Sequence, residues 1–82
     1  MNTYHTHGRK IVHAETFGDA ARIFATRMAH AEYGRRGDCR TCRVESYSKD
    51  GSRVEFSAFI GRTRGNCSTG HNVMFTVYSE SK

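Results

Sequence analysis

The period of the apolar positions changes once along this chain. Between Phe17 and Tyr33, the residues Phe17, Ala20, Ala21, Phe24, Met28 and Ala31 recur at helical spacing on one face, while Asp19, Arg22, Thr26 and His30 point away. Thr16, with Asp19 three positions on, reads as an N-cap followed by an acid in the first turn, and Gly34 reads as the stop. The pattern therefore predicts one helix over 17–33. Elsewhere the period is two. Thr3 to Ala14 reads as a strand interrupted or bulged at Gly8, with Val12 and Ala14 toward the helix. Arg40 to Ser48, Arg53 to Ile60 and His71 to Ser79 read as three more strands. In the middle one Val54, Phe56, Ala58 and Ile60 share a face, opposite Arg53, Glu55, Ser57 and Phe59. In the last, Val73, Phe75 and Val77 face in.

The turn between the second and third strands sets their register. A two-residue Asp50-Gly51 loop puts Tyr47 opposite Val54 and carries Glu45 onto the core face opposite Phe56, which argues against it. A three-residue loop, Lys49-Asp50-Gly51, places glycine at a left-handed position and pairs Val44 with Phe56 and Cys42 with Ala58 on the buried face. It also sets Glu45 against Glu55 on the outer face, with Arg43 and Arg53 near enough to relieve the repulsion. The expected architecture is α+β, in the order β-α-β-β-β, with one helix packed on one face of a small four-stranded sheet. The first strand should join a parallel neighbour through a right-handed crossover. Residues 1–82 make a single small domain.

Charge adds a polarity to this picture. The net charge is +5 and ten of the 13 basic residues are arginine, whose planar fork suits phosphate or carboxylate, so an anionic partner such as nucleic acid is favoured. Alternating strand direction collects Arg35, Arg36, Arg40, Arg62 and Arg64 at one end of the sheet, with Gly65 in the same connection. Glu15, Asp19, Asp50 and Glu80 gather at the other. Arginines on a glycine-bearing loop and a helix end can follow a phosphate backbone. The outer sheet face is expected to hold Tyr47, Phe59, Met74 and Tyr78 between Arg43, Glu45, Arg53, Glu55 and Thr76, an arrangement able to stack bases or to meet a protein surface.

Other chemistry is sparse. Three cysteines form no disulfide framework, which fits a reducing compartment. Cys39, Cys42, Cys67 and His71 make a C-x2-C then C-x3-H set compatible with tetrahedral zinc, against which Cys42 is expected to face the core as a small apolar residue. Separate thiols and no cofactor are the expectation. His5 and His7 share a side of their strand and read as solvated. No serine, cysteine or carboxylate stands at a recognisable catalytic spacing from His13, His30 or His71, and no glycine-rich phosphate loop follows a strand, so a binding protein is expected rather than an enzyme. No apolar run reaches membrane-spanning length and no signal peptide is visible, which points to the cytoplasm and to no membrane partner.

The run Val12-His13-Ala14-Glu15-Thr16 leading into Asp19-Ala20-Ala21-Arg22, followed by a strand meander with a Lys-Asp-Gly turn, resembles small phage-encoded type I anti-CRISPR proteins. The resemblance implies a stoichiometric inhibitor, acting in the host bacterial cytoplasm, that docks on the CRISPR surveillance complex and blocks its capture of target DNA. Members that compete for the nucleic-acid groove are often acidic mimics. This basic chain departs from that pattern, and would contact an acidic protein surface, guide RNA or target DNA instead. A small DNA- or RNA-binding module is the alternative, and a zinc-binding interaction domain a second. Either a monomer or a homodimer fits.

Overall fold

The computed structural model describes residues 1–7, 11–62 and 70–80. Five strands and one helix follow in the order β1 (Asn2–His5), β2 (Ile11–Ala14), α1 (Phe17–Tyr33), β3 (Gly37–Tyr47), β4 (Arg53–Arg62) and β5 (Gly70–Ser79). They form one antiparallel sheet in the order β2-β1-β5-β4-β3, with α1 against one face. The α+β class and the single covering helix are as expected. The sheet has five strands rather than four, because the N-terminal segment is a hairpin: Tyr4 pairs with Val12 and His5 with Ile11. Among the described residues the expected parallel neighbour is absent as well. β1 lies antiparallel to β5, and β2 and β3 sit at opposite edges, so the connection through α1 crosses the whole sheet. A continuous strand over 3–14 would have been long for so small a sheet. Gly8, the expected site of interruption, lies outside the described residues.

Helix α1 starts and stops as its sequence signals require. The Thr16 side chain accepts from the Asp19 N–H at 3.1 Å, and Gly34 closes the helix at φ 73° with its N–H donating to the His30 carbonyl. Its buried side is Ala20, Ala21, Phe24, Ala25 and Ala29, with Phe17 and Met28 partly covered. Ala31 is exposed, so the stripe is rotated from the expected one. The cause lies across the interface, at Gly37. A β-carbon on Gly37 would overlap the Ala29 carbonyl, so this bare residue lets the helix sink onto β3 and turns Ala25 and Ala29 inward. Packing is heaviest on β3 and β4. On the far side Arg27 Nη1 donates to the Ile11 carbonyl at 3.3 Å, tying the helix to edge strand β2.

The core joins the helix stripe to Tyr4, Val12, Ala14, Cys39, Val54, Phe56, Ala58, Ile60, Phe75 and Val77. The alternation read in β4 holds throughout: Val54, Phe56, Ala58 and Ile60 are all buried. Phe56 stacks with Phe75 across the β4–β5 pairing, ring centroids 6.1 Å apart.

The β3–β4 hairpin combines the two registers that the sequence sets against each other. Near the turn Tyr47 lies opposite Val54 and Ser46 opposite Glu55; farther on Val44 lies opposite Phe56 and Cys42 opposite Ala58. A bulge between Val44 and Ser46 absorbs the odd residue, Glu45. The bulge keeps Glu45 off the core face and out of direct register with Glu55. Glu45 accepts from Ser57 Oγ at 2.6 Å and lies 3.5 Å from Arg43 Nε, while Glu55 accepts from Ser46 Oγ at 3.0 Å. The three-residue loop is thus corrected to a wider connection, closed by Ser48 N–H donating to the Arg53 carbonyl, with Gly51 left-handed at φ 74° as expected. Val44 has its expected partner but is 41 % exposed, because the helix does not reach that end of the edge strand.

Candidate nucleic-acid interface

Topology sets the candidate interface before any side chain does. The end of α1, the start of β3, the end of β4 and the start of β5 meet at one end of the sheet, where Gly37 pairs with Arg62, Asp38 with Gly61, and Gly61 with Gly70. Past Gly34 a single 3-10 turn, Gly34–Arg36, carries Arg35 and Arg36 at the surface, and Arg62 is exposed at the end of β4. Strand β3 begins at Gly37 rather than Arg40. Arg40 sits at a second bulge in β3, between Cys39 and Thr41, and its Nη2 donates to the Arg62 carbonyl. That bond ties the two strand ends together and holds the Arg40 guanidinium beside Arg62. Arg35, Arg36, Arg40 and Arg62 are therefore brought together as expected, and Arg64 lies outside the described residues. The acids at this end are Asp38 and Glu32, and Glu32 is engaged by His71 at 3.4 Å.

The outer face departs from the expected set. Arg43, Phe59, Met74 and Tyr78 lie on it by register, but Tyr47 does not. The bulge at Glu45 moves Tyr47 opposite Val54, to the helix side of the sheet, where it is 72 % exposed. Tyr78 is already covered: His5 stacks on its ring at 4.9 Å and 14°, and His7 meets it edge-on at 5.9 Å. His5 Nδ1 also contacts the Glu80 carboxylate, so it is a packed residue rather than a solvated one. Nothing in the local sequence announces this cluster, because it depends on β1 pairing with the far strand β5.

The second β3 bulge also turns Cys39 and Cys42 to the same side, opposite Ile60 and Ala58. Burial pushes both thiols up, and Cys42 reaches about 11 with Cys39 adding to its rise, while Arg22 pulls both the opposite way and the Cys42 thiol lowers Cys39. Cys39 Sγ donates to the Thr41 carbonyl at 3.3 Å. His71, the fourth member of the zinc set, shares a hydrogen bond at 3.1 Å with the Tyr33 hydroxyl through Nδ1 and faces Glu32 through Nε2. Cys67 lies outside the described residues, and among the described residues no group of three metal-ligating side chains converges. A buried Cys39 thiol, a half-buried Cys42 thiol, both held toward the protonated form, and a histidine engaged at both nitrogens are poor ligands as they stand. No helix among the described residues is long and apolar enough to cross a membrane.

Together, fold and site define a class: a one-helix α+β domain with an arginine-rich sheet end and an open outer face. Neither a family model, a curated protein nor a solved structure matches the chain.

Proposed function

We propose that this chain is a non-enzymatic binding protein that engages nucleic-acid phosphate through its arginine-rich end. The observation that carries the reading is the convergence of Arg35, Arg36 and Arg40, at the α1–β3 junction, with Arg62 at the end of β4. Like charges gathered at one end of a small domain repel each other, and an anion relieves that repulsion. Arg35, Arg36 and Arg62 are exposed at the ends of their elements, outside the apolar core, while Arg40 is half-buried and bonded to the Arg62 carbonyl. The resemblance to type I anti-CRISPR proteins names one setting for this chemistry: guide RNA or target DNA held in a surveillance complex, whose DNA capture the bound protein blocks.

Two measurements test the reading. Labelled DNA and RNA are titrated with the protein and with the triple variant Arg35→Glu, Arg36→Glu, Arg62→Glu. Binding should be lost in the variant while its thermal unfolding stays close to the parent's, since surface changes of this kind perturb folding little. A folded variant with undiminished binding rejects the basic end. Adding the protein to a purified type I surveillance complex before target DNA then separates the two settings: blocked capture supports the inhibitor, and binding to free nucleic acid without blocked capture supports a general module.

A further inference from the structure

We infer that the sheet surface beside the arginine end seats an unpaired base against Phe59, so that the nucleic acid engaged is single-stranded. The inference rests on the phosphate reading above. Phe59 lies on the outer face between Thr41 and Asn72, both exposed, and is itself half-buried. Its ring leans onto β5: a side chain on Gly70 would come within 2.9 Å of Phe59 Cε2 and Cζ. The ring thus lies over bare backbone, pointing to the row in which Gly61 pairs with Gly70. No side chain rises from β4 or β5 in that row. One row of strand is about 7 Å, so a base on Phe59 leaves its sugar over the glycine pair and its phosphate at the end of β4, where Arg40 Nη2 is held on the Arg62 carbonyl. Asp38, opposite Gly61, adds an acceptor at the side of the same row, suited to a base amino group and unsuited to phosphate.

The rest of the outer face argues for one seat rather than a platform. Among the described residues no other ring stacks on Phe59, whereas Tyr78 is covered by His5 and His7 and Tyr47 is on the other side. Glu45 and Glu55 stand in the middle rows, where they repel a phosphate backbone. A duplex keeps its bases paired and stacked, out of reach of such a ring; an unpaired strand offers them.

The test is a competition of partners and variants. A labelled oligothymidylate, the matching oligouridylate, an abasic strand of equal length and a duplex are titrated with the parent and with Phe59→Ala, Phe59→Leu and Phe59→Tyr. Loss of stacking should weaken single-strand binding by roughly 5- to 150-fold in the Ala and Leu variants, with Tyr retaining it. Duplex and abasic binding, and the salt dependence of both, should not change, because no phosphate contact is removed. The Leu variant keeps apolar bulk and decides the matter if the Ala variant unfolds. Equal parent affinity for base-bearing and abasic strands, or a folded Leu variant that binds like the parent, overturns the seat. So does a concentration-dependent dimer that the Leu change dissociates without affecting nucleic acid, which would assign the face to a second copy. If the arginine variants abolish binding while Phe59→Leu changes nothing, only the seat fails. If the parent binds neither strand nor duplex, both readings fail.

Discussion

At the turn of the β3–β4 hairpin one carboxylate organises the chain. Asp50 accepts from the Ser52 N–H at 3.0 Å and from the Ser52 and Ser48 hydroxyls, each at 2.8 Å. These bonds hold its carboxyl down at about 2, against an ordinary 3.8, with the Ser52 backbone N–H the largest contributor. Because the folded value is the lower one, the stabilisation is complete above the ordinary value and is lost as pH falls through about 2. In an amide proton titration, the Ser52 resonance should therefore move in that low window; a shift centred near 4 would show the bonds absent. Gly37, under the helix, and Gly18, exposed in its first turn, should respond to alanine with opposite signs. Gly37→Ala drives a β-carbon into the Ala29 carbonyl and should cost about 1–3 kcal/mol, because the helix must move off β3. Gly18→Ala, within the helix and with its nearest neighbour, Thr16 Oγ1, at 3.8 Å, should stabilise by about 0.4–1 kcal/mol. Urea unfolding of the two variants decides both.

Among the elements, the helix is held by one large anchor among alanines. Phe24 is 2 % exposed and the stripe around it is Ala20, Ala21, Ala25 and Ala29, so most of the helix's buried apolar bulk is this one ring. Phe24→Ala should cost about 3–5 kcal/mol, a large part of the stability of so small a domain. Chemical denaturation measures it, and a variant that unfolds with the parent would remove Phe24 from the core. Edge strand β3 shows a different economy. It is 11 residues long, a length that invites pairing with another chain, yet two bulges interrupt its ladder and it carries Arg40, Arg43 and Glu45. Irregularity and charge are the usual defences of an exposed edge. The same two bulges turn Cys39 and Cys42 inward together and send Tyr47 away from the outer face, so they shape the core and the outer face alike.

For the whole molecule the consequence is polarity. Arginines crowd the end where α1 stops, the favourable end of its dipole for cations, while Asp50 and Glu80 lie by register toward the other end of the sheet. Association steered by such a field weakens with salt. If the basic end meets phosphates, the logarithm of affinity should fall against the logarithm of salt with a slope of about −0.7 per contact on a single strand and about −0.9 on duplex DNA. Arg62→Ala alone should then reduce the slope by about one contact, and an unchanged slope would place Arg62 outside the interface. The measurement is a titration repeated across salt concentrations.

Local chemistry was sufficient for much of this. The bounds of α1 follow from Thr16 and Gly34, and the inward face of β4 from strict alternation at Val54, Phe56, Ala58 and Ile60, since capping and pleating act within a few residues. The arginine end also follows from sequence, because strand direction alone decides which chain ends meet. What only the tertiary structure decided depends on partners distant in sequence. The N-terminal segment folds back as a hairpin because β1 finds β5, and His5 is packed on Tyr78 for the same reason. The helix stripe is rotated toward Ala25 and Ala29 because Gly37 opens a seat for it on β3. Tyr47 changes sides because the turn and the core demand registers one residue apart, and a bulge at Glu45 is the small distortion that satisfies both.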